Sequence, residues 1–209
     1  MRLMEYREKV RNRAGIASGD QFIPSSVIDD AVNQALEQID AEYHWPWLEV
    51  TDTFTTVAGT DTYALPANYR ATRSILLRNT GGSQRILYNV SPTQALAKSD
   101  LATGAPDAYG IVGNNIVLVE TPDQAYTVTH LYYRQTIELV ADEDEPLIPD
   151  QWHGSVVAAA AANIAMREEL RGIKDACDQD VANWIRRMRN ALRRSTGPVV
   201  PRVRRDGWI

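Results

Sequence analysis

The sequence predicts an α+β protein in which N- and C-terminal helices form a helical bundle, with a central antiparallel β-module and an extended C-terminal tail. Apolar residues recur at helical spacing near both ends of the chain, whereas its middle shows short β-type runs separated by turn residues. The last residues contain prolines, which a helix does not tolerate. We divide the chain into N-terminal helices at 1–47, the β-module at 48–140, C-terminal helices at 141–195 and an extended docking tail at 196–209.

Two amphipathic helices are predicted at the start of the chain. The first ends at Gly15 and has apolar residues at helical spacing, namely Leu3, Tyr6 and Val10. The second begins with a capping box at residues 26–29, in which a serine and an acid satisfy backbone amides. Because Pro46 lacks an amide hydrogen, this helix should stop near residues 44–47. Its apolar stripe contains Ile28, Val32, Leu36, Ile39 and Tyr43.

Four runs in the middle of the chain are rich in β-branched and aromatic residues, and they predict antiparallel strands. These runs are residues 50–56, 73–78, 85–90 and 126–134. Glycines at 81–82, and glycine with asparagines at 113–115, predict hairpin turns because a positive φ costs little there. Residues 92–99 should form a short surface helix, with Ser91 as its N-cap.

Two further helices are predicted after the acidic segment at residues 142–145. The acidic spacing lacks the alternating ligands of a calcium loop, so we interpret it as a solvated linker. The first helix covers 151–170, and its alanines at 158–162 allow close approach of a neighbouring element. The second covers 174–194, with a stripe of Cys177, Val181, Trp184, Ile185, Met188 and Leu192.

Composition excludes several classes of protein. With 209 residues, of which 44% are apolar, the chain can bury a core without disulfides. The single cysteine, Cys177, cannot form an internal disulfide, which favours a reducing compartment. The longest apolar stretch, 156–166, falls short of the roughly 20 residues that span a bilayer. The first residues lack the apolar core of a secretory signal, so we expect neither export nor a membrane partner.

No pattern of catalytic, cofactor-binding or metal-binding residues is present. The chain has three histidines, His44, His130 and His153, and Cys177 is distant from all of them in sequence. We interpret His44 as a packed or surface ring, His130 as a strand residue and His153 as part of a first helical turn. Phosphate-binding loops, dinucleotide fingerprints and nucleophile elbows are absent from the sequence. We therefore predict no enzyme and no cofactor, although a site assembled from scattered residues stays open.

Arginine is concentrated near the C-terminus, in a chain whose net charge is -5. These arginines could bind carboxylates of a protein partner, favour the negative end of a helix dipole, or contact phosphates, and we rank them in that order. Apolar and aromatic residues beside them are typical of a peptide that fills pockets on a folded partner. The predicted partner-binding residues are Arg189, Arg193, Arg194, Val199, Val200, Arg202, Val203, Arg204, Arg205, Trp208 and Ile209. A nucleic-acid-binding module that uses the same C-terminus is the alternative.

Several short sequence patterns occur in an order that resembles the head-tail adaptor (connector) proteins of tailed bacteriophages. They include Asn-Gln-Ala-Leu at 33–36, Trp-Pro-Trp-Leu at 45–48 and Thr-Tyr-Ala-Leu-Pro-Ala-Asn-Tyr at 62–69. Later patterns lie at 114–118, 121–122, 132–134 and 145–153, before an alanine-rich helix. The resemblance covers most of the chain. Its clearest residues, which we assign to the core that joins the helices and the β-module, are Trp45, Pro46, Trp47, Tyr63, Leu65 and Pro66.

The resemblance implies a structural protein of the virion, located at the head-tail junction and assembled in the host cytoplasm. It implies a homo-oligomeric ring, usually dodecameric, that binds the portal protein and a tail or nozzle protein. Such a ring continues the DNA channel, so contact with double-stranded DNA should be transient and non-specific. The two ends of the chain would then supply the ring wall and the segments that reach partners.

Overall fold

The computed structural model describes residues 1–16, 23–79, 81–98 and 102–196, with side chains as far as residue 193 except that of Lys98. The chain forms two compact units. The helical unit consists of Met1–Tyr43 together with the chain from Ile137 to the end of the last helix, and the β unit is His44–Thr136. The predicted α+β class is confirmed. The tail predicted at 196–209 lies outside the described residues, except for Thr196, which ends the last helix.

Helices from both ends of the chain pack together in the helical unit. α4 contacts α1, α2 and α5, and α1 also contacts α2. The short α3 belongs to the β unit. The helices of the described chain are α1 (Leu3–Ala14), α2 (Ser25–Ala41), α3 (Pro92–Lys98), α4 (His153–Arg167) and α5 (Arg171–Thr196).

The first helix matches its prediction. Leu3, Tyr6 and Val10 are fully buried, as residues on one face of a packed amphipathic helix should be. Gly15 follows α1 with a φ of 72°, and its N–H bonds to carbonyls of the last turn. At the other end, the Arg2 backbone N–H donates to Glu5 Oε2 at 3.1 Å. The sequence therefore specifies both ends of this helix through local chemistry.

The second helix does not begin with the predicted capping box. Pro24 occupies the N-cap position, without a side-chain hydrogen bond, and α2 begins at Ser25. Asp29 instead binds the Arg7 guanidinium with both oxygens, at 2.6 and 2.9 Å. Such a two-bond pair is stronger than a neutral capping bond, and it joins α2 to α1. Tyr43 lies beyond the end of α2 and is 46% exposed, so the buried stripe ends at Ile39.

Small residues bring α4 close to α5. A Cβ atom added at Gly154 would lie 3.0 Å from Cζ2 of Trp184, which is tighter than ordinary packing. Alanines 158–162 are all buried, as expected for a helix surrounded by others. The predicted stripe of α5 is buried only in part, because Cys177 and Met188 are buried whereas its other members keep partial exposure.

The β unit contains two four-stranded sheets and one two-stranded sheet among the described residues. Their strand orders are β1-β10-β3-β4, β2-β8-β7-β5 and β6-β9. A buried cluster of aliphatic and tyrosine side chains, including Ile75, Leu118 and Val128, draws on both larger sheets. The strands are β1 (Glu49–Thr55), β2 (Thr62–Ala64), β3 (Tyr69–Arg78), β4 (Gln84–Ile86), β5 (Tyr88–Asn89), β6 (Thr103–Gly104), β7 (Ala108–Val112), β8 (Asn115–Val119), β9 (Thr121–Pro122) and β10 (Thr127–Arg134).

Both predicted hairpins are confirmed, but the β-module is not purely antiparallel. β3 pairs antiparallel with β4, and β7 with β8, around turns in which Gly82 and Gly113 have positive φ. In contrast, β5 pairs parallel with β7, and β6 pairs parallel with β9. The strand predicted at 85–90 is divided at the buried Leu87 into β4 and β5, which belong to different sheets. Each parallel pair is two residues long, too short for any sequence period to reveal.

The short helix predicted at 92–99 is present as α3, and it is capped as expected. The Gln94 N–H donates to Ser91 Oγ, and the Ser91 N–H donates to Gln94 Oε1, both at 3.3 Å. α3 does not lie only on the surface, however. Ala95 is fully buried, and the helix contacts β7 and β8. Gly110 of β7 makes this possible, since a Cβ there would lie 2.5 Å from the Ala95 Cβ.

The aromatic and proline residues that carry the resemblance differ in burial. Trp45 and Leu65 are buried, at 0% and 5% exposure. Trp47 stacks on Trp45 with ring centroids 4.8 Å apart. Pro46 is exposed, while Trp47, Tyr63 and Pro66 are half-buried. Trp45 and Leu65 thus have the burial of core residues, whereas Pro46 does not.

Candidate partner-binding surface

Helix α5 has two different faces. Cys177, Trp184 and Met188 lie at spacings of seven and four residues and share one side of the helix. Trp184 packs against Gly154 and makes an edge contact with Trp152, which places this side against α4. The adjacent face, which includes Val181 and Ile185, is only half-buried. An apolar surface of α5 therefore remains accessible in the described chain.

That second face lines an open groove of about 480 Å³, called the α5 groove below. Its apolar part is formed by Val181, Ala182 and Ile185. Arginines and an asparagine from the following turns border it, and Glu42 lies beside α5 at the end of α2. The full lining is Glu42, Asp178, Val181, Ala182, Ile185, Arg186, Arg189, Asn190 and Arg193.

Arg189 is held in place within the helical unit. Its Nη2 donates to the backbone carbonyl and to Oε2 of Glu42, both at 2.8 Å. The guanidinium carbon also lies 6.0 Å from the ring centroid of Tyr43, within cation-π range. Arg189 thus joins α5 to the end of α2 and shapes one wall of the α5 groove.

The second half of α5 is strongly basic. Residues 181–196 contain five arginines and no acidic residue. Arg186 donates to Asn183 on the same helix, and Arg187 lies over the Trp184 ring at 5.4 Å. Neither contact neutralises a positive charge. In the α5 groove, by contrast, Glu42 is neutralised by Arg189 and Asp178 by Lys174. The arginines therefore dominate the local field.

The acidic segment at 142–145 is largely exposed, as expected for a solvated linker, and it is also ordered by hydrogen bonds. Asp144 Oδ2 accepts the backbone N–H groups of Val140 and Ala141, at 2.8 and 2.7 Å. These two bonds lower the pKa of Asp144. Asp142 pairs with Arg7 on α1, and Arg2 pairs with Glu143 and Glu145.

The segment just before these acids presents apolar side chains to solvent. Asn33 of α2 donates Nδ2 to the Leu139 carbonyl at 3.0 Å and accepts the Leu139 N–H at 2.9 Å. This clamp holds Leu139 in the core, at 2% exposure, and leaves the next residue, Val140, 75% exposed. Ile137 is also exposed, at 45%. An apolar and acidic surface thus lies on the same unit as the α5 groove.

The three histidines do not form a site. His130 is fully buried in β10, and burial lowers its pKa to about 4, partly offset by the charge of Asp52. His153 begins α4, as expected, and its Nε2 lies 2.9 Å from the Ile148 carbonyl. His44 packs on the Tyr133 ring. The described residues contain no cluster of metal-ligating side chains and no helix able to span a membrane.

Comparison with known families gives a decisive match. A model of the family described as SU10 adaptor protein matches residues 1–207. The chain belongs to this family. The resemblance to phage head-tail adaptors noted in the sequence is thereby confirmed, and SU10 adaptor membership supports a structural role as a component of the virion. No curated protein matches the chain.

Only part of the predicted partner-binding set can be located on this SU10 adaptor chain. Arg189 and Arg193 both line the α5 groove. Arg194 lies within α5, but the structure does not describe its side chain. The remaining predicted residues lie outside the described chain, namely Val199, Val200, Arg202, Val203, Arg204, Arg205, Trp208 and Ile209. Their role stays a prediction.

Sequence reasoning missed several residues of this SU10 adaptor surface. Asp178, Ala182, Arg186 and Asn190 recur every four residues on α5, so their common face could have been found from spacing. Glu42 could not, because it is 147 positions from Arg189 in sequence and only the tertiary structure brings the two together. Val140 was also missed, because the acids that follow it suggested only a solvated linker.

Proposed function

We propose that the chain is one subunit of a homo-oligomeric ring, usually dodecameric in adaptors of this kind, that binds the portal protein and links it to the tail. The family match over residues 1–207 carries this proposal. The ring continues the DNA channel, and its contact with double-stranded DNA is transient and non-specific. It assembles in the host cytoplasm and remains at the head-tail junction of the virion.

The two units supply different parts of this ring. The helices contributed by both ends of the chain form a bundle that builds the ring wall. The β unit offers a docking surface for the tail or nozzle protein at its edge strands β4 and β5. Two large apolar side chains are exposed there, Ile86 at 65% and Tyr88 at 74%. Unpaired strand edges with exposed apolar groups are typical of sites that receive an extended segment of a partner.

The C-terminal segment binds the portal protein or a neighbouring subunit. Its arginines can form paired hydrogen bonds with carboxylates, and its apolar residues can fill pockets. The residues assigned to this role are Arg189, Arg193, Arg194, Val199, Val200, Arg202, Val203, Arg204, Arg205, Trp208 and Ile209.

Native mass spectrometry tests the adaptor role directly. The purified chain is measured alone and after mixing with the portal protein encoded in the same genome. We expect a discrete complex in which many copies bind each portal ring. A chain that leaves the portal protein unbound over a range of concentrations and salt would contradict the proposal.

The arginine-rich half of α5 supports one alternative, a nucleic-acid-binding module. This alternative predicts tight binding to duplex DNA, with a salt dependence of about 0.9 log units per neutralised phosphate. The adaptor role predicts weak binding without sequence preference, because a channel must release the DNA that passes through it. Fluorescence anisotropy with a duplex probe at several salt concentrations distinguishes the two.

A further inference from the structure

We infer that the α5 groove binds residues 137–145 of a second copy of this chain. The inference rests on the proposed ring and names the two surfaces that would join neighbouring subunits. A ring that closes by rotation uses head-to-tail contacts, in which two different patches of the same chain meet. The helical unit carries two such patches, and no residue of the 137–145 segment lines the α5 groove.

The two patches are complementary in charge. The segment 137–145 contains five acidic residues and no basic residue. The α5 groove is bordered by Arg186, Arg189 and Arg193, while its two acids are already paired with cations. Arg186 and Arg193 therefore retain charge that incoming carboxylates can neutralise. Such complementarity also sets the orientation of the segment and excludes wrong partners.

The two patches are also complementary in their apolar content. Val181, Ala182 and Ile185 form the apolar part of the groove, and Ile137 and Val140 are the exposed apolar residues of the segment. Val140 is held outward, because the Asn33 clamp fixes Leu139 and Asp144 accepts the Val140 N–H. A side chain already held in its binding position loses little conformational entropy on docking.

Other occupants fit the groove less well. The chain's own residues 197–209 contain three arginines and one aspartate, so they would bring positive charge to a positive rim. A DNA backbone would satisfy the arginines but would leave Val181 and Ile185 without an apolar partner. Within one chain, the pair of Arg2 with Glu143 is half exposed, and exposed pairs of this kind contribute little. Glu143 can therefore exchange its partner.

Cross-linking between two variants of the full chain, each with one added cysteine, tests this contact. Val140→Cys and Ala182→Cys are mixed with a short bismaleimide, with and without the portal protein. The native Cys177 is buried at 1% exposure and is present in all samples. We expect a linked heterodimer, and far less linkage in a matched mixture of Met4→Cys with Ala182→Cys.

Linkage of Ala182→Cys to a Val203→Cys variant, without linkage to Val140→Cys, would show that the C-terminal segment occupies the α5 groove. That result would overturn the inference. Absence of the Val140 to Ala182 link both with and without the portal protein would also overturn it. The proposed function is judged separately, because wild-type binding to the portal protein can persist when this link is absent.

Charge reversal provides a second test. A groove variant, Arg186→Glu with Arg193→Glu, keeps its acidic segment, and a segment variant, Val140→Lys with Glu143→Lys, keeps its groove. Each alone should fail to associate, whereas their mixture should regain association, because the unaltered groove of the segment variant can bind the unaltered segment of the groove variant. Arg187→Glu, on α5 but outside the groove, should assemble like the wild type. Full assembly by either variant alone would contradict the inference.

Discussion

Substitution of glycine by alanine should change the free energy of unfolding in opposite directions at two positions of this chain. Gly110→Ala should lower the free energy of unfolding by about 1–3 kcal/mol, because its Cβ would lie 2.5 Å from that of Ala95 in α3. Gly172→Ala should raise it by about 0.5 kcal/mol, because α5 has open space there and alanine restricts the unfolded chain. Urea denaturation of both variants measures the two signs. Equal effects would contradict the close packing of α3 on β7.

His130 makes stability depend on pH. Its pKa in the folded chain is about 4, below the ordinary 6.5, because the ring is buried. The unfolded chain therefore binds more protons, so stability is complete above pH 6.5 and decreases as the pH falls towards 4. Over this window the loss is roughly 3 kcal/mol.

The pH slope is checked by urea unfolding between pH 7.5 and 4.5 for the wild type and for His130→Phe. The variant should show a shallower loss of stability, because it removes the buried imidazole and retains an aromatic ring beside Tyr132. His153, whose pKa is also lowered by burial, contributes in both proteins. Identical slopes would show that His130 does not titrate in this window.

Among the elements, the position of the chain at Leu139 depends on hydrogen bonds from one residue of α2. Asn33→Ala removes both hydrogen bonds to the Leu139 backbone and should cost about 1–3 kcal/mol of unfolding free energy. Gln38→Ala, at an exposed position of the same helix, serves as the control and should change stability by less than about 0.5 kcal/mol. Thermal and urea unfolding give the comparison. Equal stability of the two variants would refute the clamp.

Elements with strong local signals were predictable from the sequence, and those decided by distant neighbours were not. Leu3, Tyr6 and Val10 with Gly15 define α1 because helical period and C-cap chemistry agree. The start of α2 was misplaced because Asp29 bonds to Arg7 on another helix, which no local pattern reveals. The parallel pairing of β5 with β7 depends on α3 crossing the sheet, so alternation within a run could not indicate it.

The candidate surface was predictable only in its basic component. The arginines of α5 were evident from composition, but the α5 groove depends on how far α4 and α2 cover the helix. Arg189 was named as a partner-binding residue from its type and position, whereas its contacts with Glu42 and Tyr43 come from tertiary structure. Apolar spacing also suggested that the whole α5 stripe is buried, whereas Val181 and Ile185 remain half-exposed.

For the whole molecule, the C-terminal segment is the part whose removal should affect assembly while leaving the fold unchanged. Deletion of residues 199–209 should leave the fold intact and weaken binding to the portal protein or to a neighbouring subunit. Circular dichroism and thermal unfolding check the fold, and native mass spectrometry with the portal protein checks binding. A matched chain with Trp208→Ala and Ile209→Ala isolates the apolar contribution. Unchanged binding by the truncated chain would contradict the docking role.

The chain enters and leaves the β unit on neighbouring strands, since β1 pairs with β10 and Glu49 lies opposite Tyr133. An inserted module with adjacent ends can be replaced by another whose ends are equally close. Recombination between phage genomes can therefore exchange the β unit while retaining the helices that precede and follow it in the chain. Under the proposed docking of the tail protein on the β unit, such an exchange would give phages that share a head a different tail in a single genetic event.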